Sequence, residues 1–131
     1  MRTFVSLFLA TLLVLPALST NAADEEQPLT GAEIKAALSG NTVFGEQDGT
    51  KWKQYFAPDG STTYISGDDD PSPGKWRVDG DTFCSLWPPA SDWDCYDMTG
   101  DLDASPPSVT WIYQGGGAPW PAVVKDGNQL E

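Results

Sequence analysis

The chain has 131 residues and a formal net charge of −12, from 19 acidic and seven basic side chains, with two cysteines and no histidine. So acidic a chain, with its few basic residues scattered, argues against a nucleic-acid partner, which needs clustered Lys and Arg, and against docking on anionic lipid. Without histidine, Ser-His-Asp and Cys-His catalysis and most zinc and haem sites are excluded.

Met1-Arg2 gives a short positive start, and Phe4 to Leu18 is an apolar run broken only by Ser6, Thr11 and Pro16. Small residues at 19–23 follow, and then the acidic DEE at 24–26. This order predicts a secretory signal peptide over 1–23, cleaved after Ala22 or Ala23. The run is shorter than the ~20 residues of a spanning helix, and nothing downstream predicts a membrane span. The expected product is a single domain over 24–131, periplasmic or secreted and monomeric, with one modest core. Loss of Arg2 with the leader takes the net charge from −12 to −13.

The domain opens with LTGAEIKAALSGN at 29–41, which predicts a helix over about 31–39. Thr30 is placed as N-cap, Glu33 completes a capping box, and Leu29 and Ile34 form a hydrophobic staple. Ile34, Ala37 and Leu38 share one face, and Gly40 is placed to end the helix. After it the pattern changes to short strands over about 42–125, the first at 42–46.

Segments 51–57 and 61–66 flank Pro58-Asp59-Gly60, a hairpin turn that sets Phe56 against Thr62 and puts Trp52, Phe56 and Tyr64 on one face. GDDDPSPG at 67–74 reads as a solvated loop. KWRV at 75–78 and 81–87 meet around Asp79-Gly80, a strong hairpin signal that sets Trp76 opposite Phe83.

CSLWPPASDWDC at 84–95 holds both cysteines. They are too few for structural zinc and too far apart for a CxxC redox pair, and an exported chain oxidises its thiols. A Cys84–Cys95 disulfide across an antiparallel ribbon is predicted. Phe83 then faces Tyr96, Leu86 faces Trp93, and 88–91 form the loop. The two hairpins together put Trp76, Val78, Phe83, Tyr96 and Met98 on one apolar face.

TGDLDASPP at 99–107 reads as a polar connection, and SVTWIYQ at 108–114 alternates Val109, Trp111 and Tyr113. After a Gly-rich loop at 115–119, strand 120–125 is expected at a sheet edge because of Pro121. The tail 126–131 is expected to fray. The fold class is therefore all-β: a curled antiparallel meander or small β-barrel of seven to eight strands with one short N-terminal helix, the alternative being a two-sheet sandwich.

The order LTGAEI, LSGNT, WKQYFAPDG, GKWRVDGD and the CY at 95–96 resembles a family of small exported bacterial proteins to which no activity is assigned. The resemblance covers 30–96 well and the last third loosely; the acidic loop at 67–74 and the PP-containing hairpin loop depart from it. It implies export, a single domain and paired cysteines, and it supplies no catalytic residue. In shape only, the G-x-W stretch at 74–76 and the meander are similar to calycin-type ligand-binding barrels, and fold does not fix function.

Carboxylates are the remaining route to catalysis, as in a small hydrolase using paired aspartates, but 19 acids offer many pairs and a chain this small leaves little room for a sugar cleft. Asp68, Asp69, Asp70, Asp97 and Asp101 are weak calcium candidates, in a calcium-stabilised envelope protein, because neither acidic stretch follows a calcium-loop pattern. No cofactor is expected. Among the six tryptophans, Trp76 on the apolar face, and Trp52 and Trp111 by strand alternation, are expected in the core. Trp87, Trp93 and Trp120 lie beside loops and are candidates to bind a ligand or partner. The expected function is a non-catalytic binding protein. It would hold a small ligand in a curled sheet walled by Trp76, Phe83 and Tyr96, or a basic protein partner at a Trp87/Trp93 edge.

Overall fold

The structure, a computed structural model, describes residues 27–131. The predicted signal peptide lies outside the described residues. Nine strands and one helix follow the order β1 (Gln27–Pro28), α1 (Gly31–Leu38), β2 (Asn41–Gln47), β3 (Thr50–Phe56), β4 (Ser61–Ser66), β5 (Ser72–Asp79), β6 (Thr82–Leu86), β7 (Asp94–Asp101), β8 (Ser108–Tyr113) and β9 (Trp120–Lys125). All pairings are antiparallel. Strands β2 to β7 form a meander, β9 pairs with β2, and β8 joins β9 to β7, so eight strands close into a barrel. The short β1 pairs with Thr99 and Gly100 of β7. Among the described residues no helix is long and apolar enough to cross a membrane.

Tight turns set the register. Asp48 and Gly49 both take positive φ, 49° and 81°, the geometry of a two-residue hairpin between Gln47 and Thr50. The β5–β6 turn differs from expectation. Its two loop residues are Gly80 and Asp81, Asp79 pairs with Thr82, and Trp76 therefore faces Ser85 while Val78 faces Phe83. Gly80 takes the positive φ of 60° at the first loop position. The slip is two residues, so the pleat keeps Trp76 and Phe83 on one face, and their rings stack 6.3 Å apart.

The Cys84–Cys95 disulfide is present, with Phe83 opposite Tyr96 as expected. The β6–β7 ladder stops at Ser85–Asp94, so Leu86 and Trp93 do not pair within it.

Three further expectations are corrected. Residues 72–74 belong to β5 and 99–101 to β7, because each extends an existing ladder. β9 is no edge strand: it lies between β2 and β8, with Pro121 one residue past the last β2–β9 pair, Gly45–Ala122. The tail does not fray. The Thr42 hydroxyl donates to the Gly127 carbonyl, the Gln129 N–H to Thr42 Oγ1, and Lys53 to the Leu130 carbonyl.

One end of the barrel is plugged. Thr30 caps α1 in a full capping box with Glu33, and Ile34 and Leu38 are completely buried. The Gly31 N–H donates to Asp81 Oδ1 at 2.7 Å, and a Cβ on Gly31 would lie 1.8 Å from the Gly80 carbonyl oxygen. The helix start is therefore docked on the β5–β6 turn, and only glycine fits at that contact. Above it Phe56 packs edge-on to Trp76 and Phe83 and stacks on Trp111, at 5.4, 5.8 and 6.0 Å. The expected apolar face is present: Trp76, Phe83 and Met98 are buried, with Val78 and Tyr96 packed against them.

Candidate functional site

The opposite end is open. Inward residues near the starts of β3, β5, β7 and β9 and near the ends of β4, β6 and β8 surround a cavity of about 550 Å³. Its walls are ring surface: Trp52, Tyr64, Phe83, Trp87, Tyr96, Trp111 and Trp120, with Pro71, Pro73 and Pro88 at the rim. The polar lining consists of Gln54, Ser72 and Ser85, and among the described residues no charged side chain lines the cavity.

Two inward glycines make room for the rings. A Cβ on Gly45, which pairs with Trp52, would lie 2.4 Å from the Trp52 ring, and one on Gly74 would lie 2.6 Å from Trp87. Each indole thus lies flat on bare backbone, leaving the space in front of it free. Sequence reasoning noted Gly74 only as part of the G-x-W stretch and did not single out Gly45, although glycine inside a strand is the known signal of close approach.

The rings brace one another at varied angles. Tyr64 meets Trp87 at 6.1 Å and 69°, Trp52 meets Tyr64 at 5.8 Å and 36°, and Trp52 meets Trp120 at 6.0 Å and 70°. Three of the four indole donors, those of Trp52, Trp87 and Trp111, are withheld from the cavity. The Trp87 N–H donates to Ser85 Oγ at 3.2 Å. The Trp52 and Trp111 nitrogens are buried without a hydrogen-bond partner and reach no solvent. Those two indoles therefore offer the cavity ring carbon.

Tyr96 forms one wall. Burial raises its hydroxyl pKa above 10.0, and the negative charges of Asp94 and then of Tyr113 add to the shift. Asp94 also accepts a hydrogen bond from the Tyr113 hydroxyl, at 3.3 Å. The Tyr113 pKa is raised first by the Asp94 charge, then by that hydrogen bond.

Of the predicted binding residues, Trp87, Trp120 and Tyr96 meet in this cavity. Trp76 does not; it is core, and its N–H donates to the Ala57 carbonyl at 3.0 Å. Trp93 lies elsewhere, half-buried under the Arg77 guanidinium, which sits 4.2 Å from its ring centre. The expected Trp87/Trp93 edge is therefore two separate places. Sequence reasoning assigned Trp52 and Trp111 to the core by alternation; they are buried, yet one side of each faces the cavity.

The aspartates are not gathered in a cleft. Asp97 accepts from Gln114, Asp101 accepts from the Asp103 N–H, and Asp68, Asp69 and Asp70 are exposed in the β4–β5 loop. Among the described residues no three His, Cys, Asp or Glu side chains come together as a metal site, so the calcium candidates do not share one. No family model, no curated protein and no solved structure matches the chain.

Proposed function

We propose that this chain is an exported, non-catalytic binding protein that holds a small, largely apolar ligand in the open end of its barrel. The observation that supports it is the cavity of about 550 Å³ walled by seven aromatic rings. Ligand sites of this kind are concave, mostly apolar and carry a few polar groups for orientation, here Gln54, Ser72 and Ser85. A guest of on the order of 20 non-hydrogen atoms would fill it at the packing density of protein interiors. Among the described residues no carboxylate lines the cavity, which leaves the paired-aspartate reading without a reaction site there. The disulfide fits an oxidising compartment and hence the exported product expected from the leader.

The test is titration with N-phenyl-1-naphthylamine, a neutral fluorophore, followed by its emission and by quenching of tryptophan. Saturable one-to-one binding is expected, weakened in Trp120→Leu and unchanged in Trp93→Ala. Absence of saturable binding, or loss of it in Trp93→Ala alone, would refute the reading.

A further inference from the structure

We propose that the guest of this cavity is an organic ammonium cation, with its nitrogen fully alkylated. The inference rests on the reading of the barrel mouth as a binding site and names the chemistry that the mouth selects. Four features carry it.

The first is the wall. Trp52, Tyr64, Trp87 and Trp120 meet in pairs at 36° to 70°, so rings of different orientation surround one space. A cation within about 6 Å of such ring faces is attracted by their quadrupoles, most strongly where water is displaced. The second is what the wall lacks. An anion would need Lys, Arg or free N–H groups, and among the described residues no charged side chain lines the cavity. The indole donors of Trp52, Trp87 and Trp111 are covered or already bonded.

The third is the rim. The loops and adjoining strand ends of the open end carry Glu46, Asp48, Asp68, Asp69, Asp70, Asp92 and Asp94, all exposed, against Lys51, Lys75 beside Gly74, and Arg77 over Trp93. Asp68 to Asp70 immediately precede Pro71, Ser72 and Pro73 of the cavity lining. An entrance of one charge sign raises the local concentration of the opposite ion. The fourth is hydrogen bonding. A primary ammonium brings three donors to be satisfied at one point, and the side-chain acceptors of the lining, Gln54, Tyr64, Ser72, Ser85 and Tyr96, are spread one each over five strands. A fully alkylated nitrogen carries no donor and loses nothing there.

The experiment compares phenyltrimethylammonium with tert-butylbenzene, which have the same shape and differ by nitrogen for carbon and one positive charge. Each is titrated against N-phenyl-1-naphthylamine bound to the disulfide-intact protein. The cation is expected to compete with an affinity about tenfold above that of its neutral counterpart. In Trp87→Leu and Trp120→Leu, both half-buried positions, the preference is expected to fall to within about twofold. Equal competition, stronger competition by tert-butylbenzene, or a preference that survives both substitutions would overturn the assignment of the cation. In each of those cases the fluorophore still binds, and the barrel mouth stands as an apolar site. If the fluorophore itself does not bind, the site and the inference fall together.

Discussion

At the scale of single residues, the cavity exists because two side chains are absent. Gly45 and Gly74 let Trp52 and Trp87 lie against the barrel wall, and a methyl group at either position would meet ring atoms at 2.4 or 2.6 Å. Overpacking of this kind costs about 1–3 kcal/mol, taken up either by unfolding or by displacement of the neighbour. Trp87 is half-buried and follows the last residue of β6, so in Gly74→Ala its ring is expected to move into the cavity. Binding of the naphthylamine should then weaken about tenfold, and the urea midpoint should also fall, because the same Cβ would lie 2.9 Å from the Leu86 carbonyl oxygen, a backbone contact that movement of the ring does not relieve. Tyr96 leads to a prediction about pH. Its folded pKa lies above the ordinary 10.0, so the native state holds this proton more tightly than the unfolded chain. That contribution is complete below the unfolded pKa and is lost as pH rises through the folded value. Stability should therefore fall on the alkaline side of about pH 10, and Tyr96→Phe should flatten that limb in urea titrations at stepped pH. Sequence alone could place Tyr96 on the apolar face with Asp94 two residues before it, but not the Tyr113 hydroxyl on Asp94, which depends on the pairing of β7 with β8.

At the scale of elements, the helix and the disulfide ribbon were legible because their signals are local. Thr30 and Glu33 cap the helix as their spacing predicts, and Cys84 pairs with Cys95 in the expected register. What failed depended on partners distant in sequence. Pro121 suggested an edge, yet barrel closure gives β9 a neighbour on each side. Residues 99–101 looked like polar linker, yet Thr99 and Gly100 carry ladder pairs on both sides of β7, to β1 and to β8. The Asp79-Gly80 signal marked the right hairpin but missed its register by two residues, a slip the pleat tolerates without exposing Trp76. The ribbon also yields a measurable quantity. The cross-link closes a loop with a sequence separation of 11, so Cys84→Ala/Cys95→Ala should lose about 3 kcal/mol on the chain-entropy model. Chemical denaturation of the double variant beside the oxidised parent checks this, and a loss below about 1 kcal/mol would show that the ladder alone holds the hairpin.

For the whole molecule, asymmetry between the two ends separates packing from function. The plugged end is built for stability: α1, Phe56 and Trp76 fill it, and the tail is pinned beside it to Asn41 and Thr42. The open end keeps its space, its rings and an acidic rim, which places a neutral, ring-lined cavity behind a negative entrance. Substituting Asp68, Asp69 and Asp70 by asparagine should slow association of phenyltrimethylammonium several-fold at low salt, in stopped-flow fluorescence, and leave its dissociation rate unchanged. The difference should vanish near 0.5 M salt, where a Debye length of about 4 Å screens exposed charges. The barrel and its one-sided core could be read from alternation and turn residues. The cavity could not, because whether Trp52 and Trp111 fill the interior or wall a space depends on how eight strands curl around them.

Indole N–H resonances offer the most direct measurement, since each of the six tryptophans gives one signal. In ¹⁵N-labelled protein titrated with N-phenyl-1-naphthylamine, the signals of Trp52, Trp87, Trp111 and Trp120 should shift together and saturate, while those of Trp76 and Trp93 stay in place. Shifts confined to Trp93, or no shift at any tryptophan, would contradict a binding site inside the barrel mouth.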